Sequence, residues 1–228
     1  DEVLMYCDSA LFYEASNSLD AFGNVRMVQG DTLSLTGDVL YYDGLEKLAR
    51  VRNNVVLVHG QMTLYTDSLD YDRLYNVGYF FEGGHLVTED NELTSDWGEY
   101  RPDTKVAVFN YNVHMVSPPA PQKVRTTLLT DTLYYNTETS VANTRGPSTI
   151  DDGDSHIYTE MGYMNSKNND MTLLNRSEMS NTGKKLIGDS IVWNSVDSIG
   201  EAFGNVVYTD LLNKNAMTGN YCYYDDRI

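Results

Sequence analysis

Short runs of alternating polar and apolar residues recur along the chain, each closing on a large apolar residue, usually aromatic. Three are Thr36-Gly37-Asp38-Val39-Leu40-Tyr41-Tyr42-Asp43, Thr66-Asp67-Ser68-Leu69-Asp70-Tyr71-Asp72 and Thr130-Asp131-Thr132-Leu133-Tyr134-Tyr135-Asn136. Aligned on the closing residue, the anchors are Tyr13, Tyr42, Tyr71, Tyr100, Tyr135, Met164, Trp193 and Tyr224, at spacings of 29, 29, 29, 35, 29, 29 and 31. A fixed period of this size marks an array of stacked supersecondary units. The one long step holds Ser117-Pro118-Pro119-Ala120-Pro121-Gln122, which accounts for its excess. The repeat resumes afterwards, so residues 117–122 read as an insertion within one continuous domain, 1–228.

The columns of this alignment predict the unit. Two residues before the anchor stand Leu11, Leu40, Leu69, Gly98, Leu133, Gly162, Ile191 and Cys222; four before it stand Ser9, Asp38, Asp67, Asp96, Asp131, Glu160, Asp189 and Asn220. Period-2 geometry puts the apolar column and the anchor on one face of a strand. The residue after the anchor is always polar, often Asp or Asn, and begins a turn because such side chains bond nearby backbone. A second strand follows, as in Asn24-Val25-Arg26-Met27-Val28, Val55-Val56-Leu57-Val58 and Asn205-Val206-Val207-Tyr208. The apolar residues of these second strands keep no single parity. Helical periodicity is absent. The expectation is an all-β, solenoid-like array of about eight two-stranded repeats, roughly sixteen strands, with end strands open to pairing with another chain.

Composition narrows the function. Eighteen tyrosines and five prolines suit strands, and 41% hydrophobic residues suffice for a core. A net charge of −17 argues against nucleic acid as a partner and against electrostatic docking on an anionic membrane; it leaves room for a lipid held by its acyl chains. No run of about 18 apolar residues predicts a spanning helix. No signal peptide is visible, and both ends lie near strand-like pattern, so the sequence reads as a piece of a longer chain. Cys7 and Cys222 have no metal-type spacing and read as two thiols rather than a bridge.

The acid column Asp38, Asp67, Asp96, Asp131, Glu160 and Asp189 could suggest a carboxylate pair doing acid–base work on a glycan. A residue that recurs in every unit belongs to the unit, however, and these acids are expected to accept backbone N–H groups at a bend. Calcium rolls need a shorter, glycine-rich period, and Asp151-Asp152-Gly153-Asp154 lacks the remaining oxygens of an EF-hand loop. His85 and His114 occupy equivalent places in adjacent repeats, with no third metal ligand at telling spacing. No nucleophile elbow, phosphate loop or dinucleotide fingerprint is present. Neither an enzyme nor a cofactor or metal is expected.

The recurring Asp-x-Leu-x-Tyr-Asp-like unit alternates with Ala21-Phe22-Gly23-Asn24-Val25 and Ala202-Phe203-Gly204-Asn205-Val206. This alternation resembles the OstA/LptA family of lipopolysaccharide-transport proteins, specifically its OstA-like branch. The resemblance covers nearly the whole chain. It implies an elongated, twisted β-jellyroll with a hydrophobic interior. It also implies a non-catalytic periplasmic bridge that carries lipopolysaccharide toward the outer membrane, and head-to-tail association with itself or other envelope transport proteins. The residues expected to touch acyl chains are the inward apolar ones: Leu40, Tyr42, Leu69, Tyr71, Leu133, Tyr135, Ile191 and Trp193. The other reading of the same face is a structural or adhesive β-solenoid with a solid core and no lipid cargo.

Overall fold

The computed structural model describes residues 3–31, 33–118 and 125–225. They form seventeen strands and no helix. Two compact units divide the chain, Asp1–Asn110 and Tyr111–Ile228. The first contains β1 (Val3–Tyr6), β2 (Ser9–Tyr13), β3 (Ser18–Gln29), β4 (Leu33–Asp43), β5 (Leu48–His59), β6 (Met62–Asp72), β7 (Val77–Val87), β8 (Glu92–Ser95), β9 (Trp97–Arg101) and the start of β10 (Val106–Ser117). The second contains the rest of β10, β11 (Thr126–Asn136), β12 (Val141–Asp151), β13 (Ser155–Asn165), β14 (Asp170–Asn181), β15 (Lys184–Asn194), β16 (Ile199–Asp210) and β17 (Asn215–Asp225). Ser117 and Pro118 are described; residues 119–122 of the Pro-rich segment lie outside the described residues.

Pairing is antiparallel throughout each meander, from β2 to β7 and from β11 to β17. The strand count exceeds sixteen because the leading strand is split in two repeats, as β1/β2 and β8/β9. The turn column behaves as its chemistry requires. Asp43 Oδ1 accepts the N–H groups of Leu45 and Glu46, Asp72 Oδ1 those of Leu74 and Tyr75, and Asn136 Oδ1 those of Glu138 and Thr139. Each of these turns closes on a left-handed residue: Lys47, Asn76 and Ser140.

Every full-length strand is interrupted halfway, and the two strands of a repeat solve the interruption differently. In the leading strand the inward apolar side chains jump by five across the acid position, from Leu35 to Leu40, Leu64 to Leu69 and Leu128 to Leu133, so parity reverses. In the second strand the inward residues jump by four, from Ala21 to Val25, Val51 to Val55, Thr144 to Ser148, Leu173 to Ser177 and Ala202 to Val206, so parity is kept. Most of these four-residue gaps hold two left-handed residues that leave the ladder: Gly23–Asn24, Asn53–Asn54, Asn175–Arg176 and Gly204–Asn205. These are bulges, which bend a strand and raise its twist. The missing parity of the second strands is therefore a property of unaligned sequence; in the structure it is the leading strands that change face.

The acids sit at this bulge in mid-strand. Asp38 Oδ2 accepts the Asn54 side-chain amide at 2.8 Å and Asp189 Oδ2 that of Asn205 at 2.7 Å. In the shifted first repeat Asp8 takes the part, accepting from Asn24 at 2.8 Å. The partner is thus a left-handed asparagine of the neighbouring strand, where backbone N–H groups were expected. Gly204 is bound by two constraints: its φ is +71°, and a Cβ would lie 2.5 Å from Asp189 Oδ2. Asp67, Asp131 and Glu160 occupy the same exposed place on β6, β11 and β13, while Asp96, between β8 and β9, accepts the Gly83 N–H on its backbone oxygen.

Carbonyls freed by the bulge are capped by buried or half-buried hydroxyls. Thr66 Oγ1 donates toward Gly83 O at 2.7 Å, Thr159 Oγ1 lies 2.8 Å from Met161 O and 3.1 Å from Leu174 O, and Ser148 Oγ donates to Gly146 O at 2.8 Å. An unpaired buried carbonyl would cost about 1–3 kcal/mol, so Thr66 and Thr159, each one place before an acid, carry a hydroxyl for a backbone reason.

Candidate functional site

The bend lets the two halves of a strand face each other over one core. In the first unit His59, at the end of β5, reaches Tyr100 of β9 (Nδ1–Oη 2.8 Å), and a Cβ on Gly78 would meet Leu57 as well as Tyr71. The space between the halves is filled. Phe80 and Phe109 pack at 5.9 Å with their rings tilted by 54°, and Leu57, Leu64, Leu69, Tyr71 and Tyr100 are all at most 1% exposed.

Of the eight residues expected to line an acyl path, Leu40, Leu69, Tyr71, Leu133, Tyr135 and Ile191 are buried, while Tyr42 and Trp193 are half-buried. All eight lie on inward positions, but six are sealed by packing and reach a ligand only if neighbouring side chains move. Tyr71 also has a polar end: its hydroxyl donates to Asn76 Oδ1, and Asn76 donates to Asp103 at 2.6 Å. Burial, reinforced by the Asp103 carboxylate, pushes the Tyr71 phenol up to about 12. Burial and then Lys105 hold His59 below its usual range, which favours neutral imidazole beside Tyr100.

These shifts give a pH expectation for the first unit. Unfolded Tyr71 ionises near 10.0 and the folded residue near 12. A raised folded value on an acid means that folding favours the protonated phenol. Its stabilisation is whole below pH 10.0 and is lost as pH rises toward about 12. Tyr71→Phe should flatten that part of the alkaline stability loss, read from denaturant midpoints across the interval. An unchanged slope would show that Tyr71 does not carry it.

The second unit differs. Burial on its inner face fades from β11 toward β17. Leu133 and Tyr135 are fully buried and Met164 is 5% exposed, whereas Trp193 is half-buried and Tyr224 is 42% exposed. Two registered inner rows mark this half-open face. One runs Met171–Trp193–Gly200–Tyr224, with Trp193 and Tyr224 stacked at 6.5 Å beside Gly200. The other runs Met179–Leu186–Tyr208–Met217. Methionine and aromatic side chains in partly open positions adapt to apolar ligands of varied shape. The anchor column identifies Trp193. It misses Met179, Leu186 and Met217, which lie beyond the bulge, where counting from the anchor no longer tracks the inward face.

The other candidate chemistry disperses. Among the described residues no three His, Cys, Asp or Glu side chains are placed to hold a metal. Asp152 caps the N–H groups of Asp154 and Ser155, Asp151 pairs with His156 at 2.6 Å, and His85 lies 3.7 Å from Glu92. Cys7 and Cys222 are free thiols, one in each unit. Asp70, on the face opposite Leu69 and Tyr71, pairs with Arg52 at 2.7 Å. An open depression of about 540 Å3 on the outside of the bend is bordered by Asn54, Asp67, Glu82 and His85, with Tyr65 on its wall.

The sequence profile of OstA-like proteins matches residues 1–121. That of lipopolysaccharide-assembly, LptC-related proteins matches residues 76–181. A search of curated proteins gave no match. Among solved structures, LptH of Pseudomonas aeruginosa, described as the LptA-homologous periplasmic component of a lipopolysaccharide transport device, is 13% identical. That match covers 63% of this chain and 82% of LptH, with a TM-score of 0.29. With the first profile spanning more than half of its 228 residues, the chain belongs to the OstA-like protein family.

Proposed function

We propose that the protein is a non-catalytic carrier of lipopolysaccharide or a related glycolipid in the periplasm of a Gram-negative envelope, bridging toward the outer membrane. The observation that carries this reading is the half-open apolar inner face of β14–β17. Family membership and the LptC-related match support the cargo class. An acyl chain entering beside Trp193 and Tyr224 would cover apolar surface at roughly 25 cal/mol per Å2, enough to hold a chain by several kcal/mol. Within the second unit, Leu133, Tyr135 and Ile191 would join this path where the two halves of the strands part; Leu40, Tyr42, Leu69 and Tyr71 would line the corresponding inner face of the first unit. Partners would be other envelope transport proteins or a second copy, through strand pairing.

The test is photo-crosslinking in cells. A benzophenone side chain at position 193 should capture lipopolysaccharide, and one at the outward Tyr41 should not. Trp193→Glu should lower lipid recovered with the purified protein about ten-fold while leaving its melting curve near that of the wild type. Absence of any lipid adduct at position 193, together with no lipid bound to the purified protein, would refute carriage. The packed interior of the first unit favours a second reading for that unit alone, a structural array without cargo.

A further inference from the structure

A registered inward row crosses the second unit from β11 to β16 as Leu133, Thr144, Gly162, Leu173, Ile191 and Ala202. One polar atom in it is not used by the fold. Thr144 is 2% exposed, and its Oγ1 has no hydrogen-bond partner among the described residues. The hydroxyl is turned along the inner face. Gly162 faces Thr144 across the ladder, and a Cβ built on it would lie 3.4 Å from Oγ1.

The other hydroxyls buried nearby are occupied at the bulges: Ser148 caps Gly146 O, Thr159 caps Met161 O and Ser177 caps Leu174 O. Thr144 stands before the bulge, paired in register with Leu133 and Gly162, where no carbonyl is freed. The repeats supply a control. The same place in other second strands holds Ala21, Val51, Phe80, Leu173 and Ala202, all at most 1% exposed. The position therefore calls for an apolar side chain. Valine has the shape of threonine and suits a strand equally well, so packing and propensity leave the hydroxyl unexplained. Buried without a partner, it costs free energy until something pairs with it.

The geometry points to Thr144 as a specificity-determining residue for the lipid, pairing with an oxygen substituent, hydroxyl or ester, carried in the middle of an acyl chain. The row fixes the class of occupant. Its other members are apolar or glycine, so the body of the ligand is hydrocarbon, and one hydroxyl asks for one polar group on it. A sugar would leave most of its hydroxyls unpaired against this row. A threonine hydroxyl both donates and accepts, so an alcohol and an ester oxygen each fit. Thr144 lies in the interior of β12, beside the bulge and away from both strand ends. A polar head remains at those ends, in water, which places the oxygen within the chain. Thr144 is reached as Leu133 and Ile191 are, when the two halves of the strands part. This inference rests on the lipid carriage proposed above and narrows its cargo.

The experiment titrates the full chain with octadecanoate and with 12-hydroxyoctadecanoate below their micellar concentrations, by displacement of a fluorescent fatty acid. On a wholly apolar path the added hydroxyl loses its water and weakens binding. With Thr144 in place it should strengthen binding about three- to ten-fold. Thr144→Val should invert that order. It should also melt roughly 2–4 °C above the wild type, because it removes an unpaired buried hydroxyl at constant shape. Thr149→Val, on the outer face of the same strand, should change neither reading. A wild type that prefers octadecanoate, or a Thr144→Val variant that still prefers the hydroxy acid, overturns the proposal. So does a Thr144→Val variant less stable than the wild type, since the hydroxyl would then have a partner of its own, such as a buried water. Binding of neither acid sinks lipid carriage and this inference with it; equal binding of both sinks this inference alone.

Discussion

Phe80→Ala is expected to lower the stability of the first unit by about 3–5 kcal/mol, the range for deleting a buried aromatic ring. Phe80 is 0% exposed and packs against the tilted ring of Phe109. Its ring also occupies the space that two glycines leave free: a Cβ on Gly84 would lie 2.4 Å from the ring, and one on Gly98 would lie 2.3 Å from it. Gly98→Ala alone should therefore destabilise by about 1–3 kcal/mol through overpacking. The pair should be far from additive, because removing the ring removes one of the two clashes; the backbone oxygen of Val108, 2.4 Å from the same Cβ, keeps part of the penalty. Urea unfolding followed by Trp97 in a Trp193→Phe background reports on this unit. A strictly additive pair would show that the ring and the glycines do not share one space.

The second large effect is expected at the bulge of β13. Thr159→Val preserves shape and removes the hydroxyl that lies 2.8 Å from Met161 O, 3.1 Å from Leu174 O and 2.8 Å from Ser177 Oγ. Thr159 and Ser177 are both 0% exposed, so water does not replace the lost bonds. Ser177 Oγ still donates to Leu174 O at 2.9 Å, so Met161 O is the acceptor left without its hydroxyl, and the loss should be about 1–3 kcal/mol. Thr159→Ser should recover most of it. Denaturant unfolding followed by Trp193 provides the measurement. A Val variant as stable as the wild type would mean that the freed carbonyls have other partners and that the hydroxyl column is incidental.

What the sequence reveals is set by which interactions are local. The turn column was legible because Asp43, Asp72 and Asn136 act on N–H groups two and three residues ahead. The inward direction of Leu69 and Tyr71 was legible because period 2 holds within half a strand. The purpose of the acids was not legible, since Asp38 and Asp189 answer to an asparagine 16 residues on, on another strand. The signal is there in retrospect: a Gly-Asn or Asn-Asn pair at that distance, in a conformation that suits both residue types. The sealing of Leu133 was hidden for the same reason. Its burial depends on the opposite half of the strands, and the five-residue jump at the bulge resets the count. The half-open face at Trp193 could not be read from a column whose members look alike but differ in what covers them.

The paired left-handed residues bear on how such a gene can change. They consume two residues and return the chain to the same facing, so the strand beyond them depends on that count. Losing or gaining one codon at Asn53–Asn54 would turn Val55 and Leu57 outward and Val56 and Val58 inward, exchanging a core for a surface over half a strand. Gaining a block of 29 residues leaves every facing as it was. The length of such an array is therefore free to change in whole repeats or between strands, while a one-residue slip within a strand exchanges its faces.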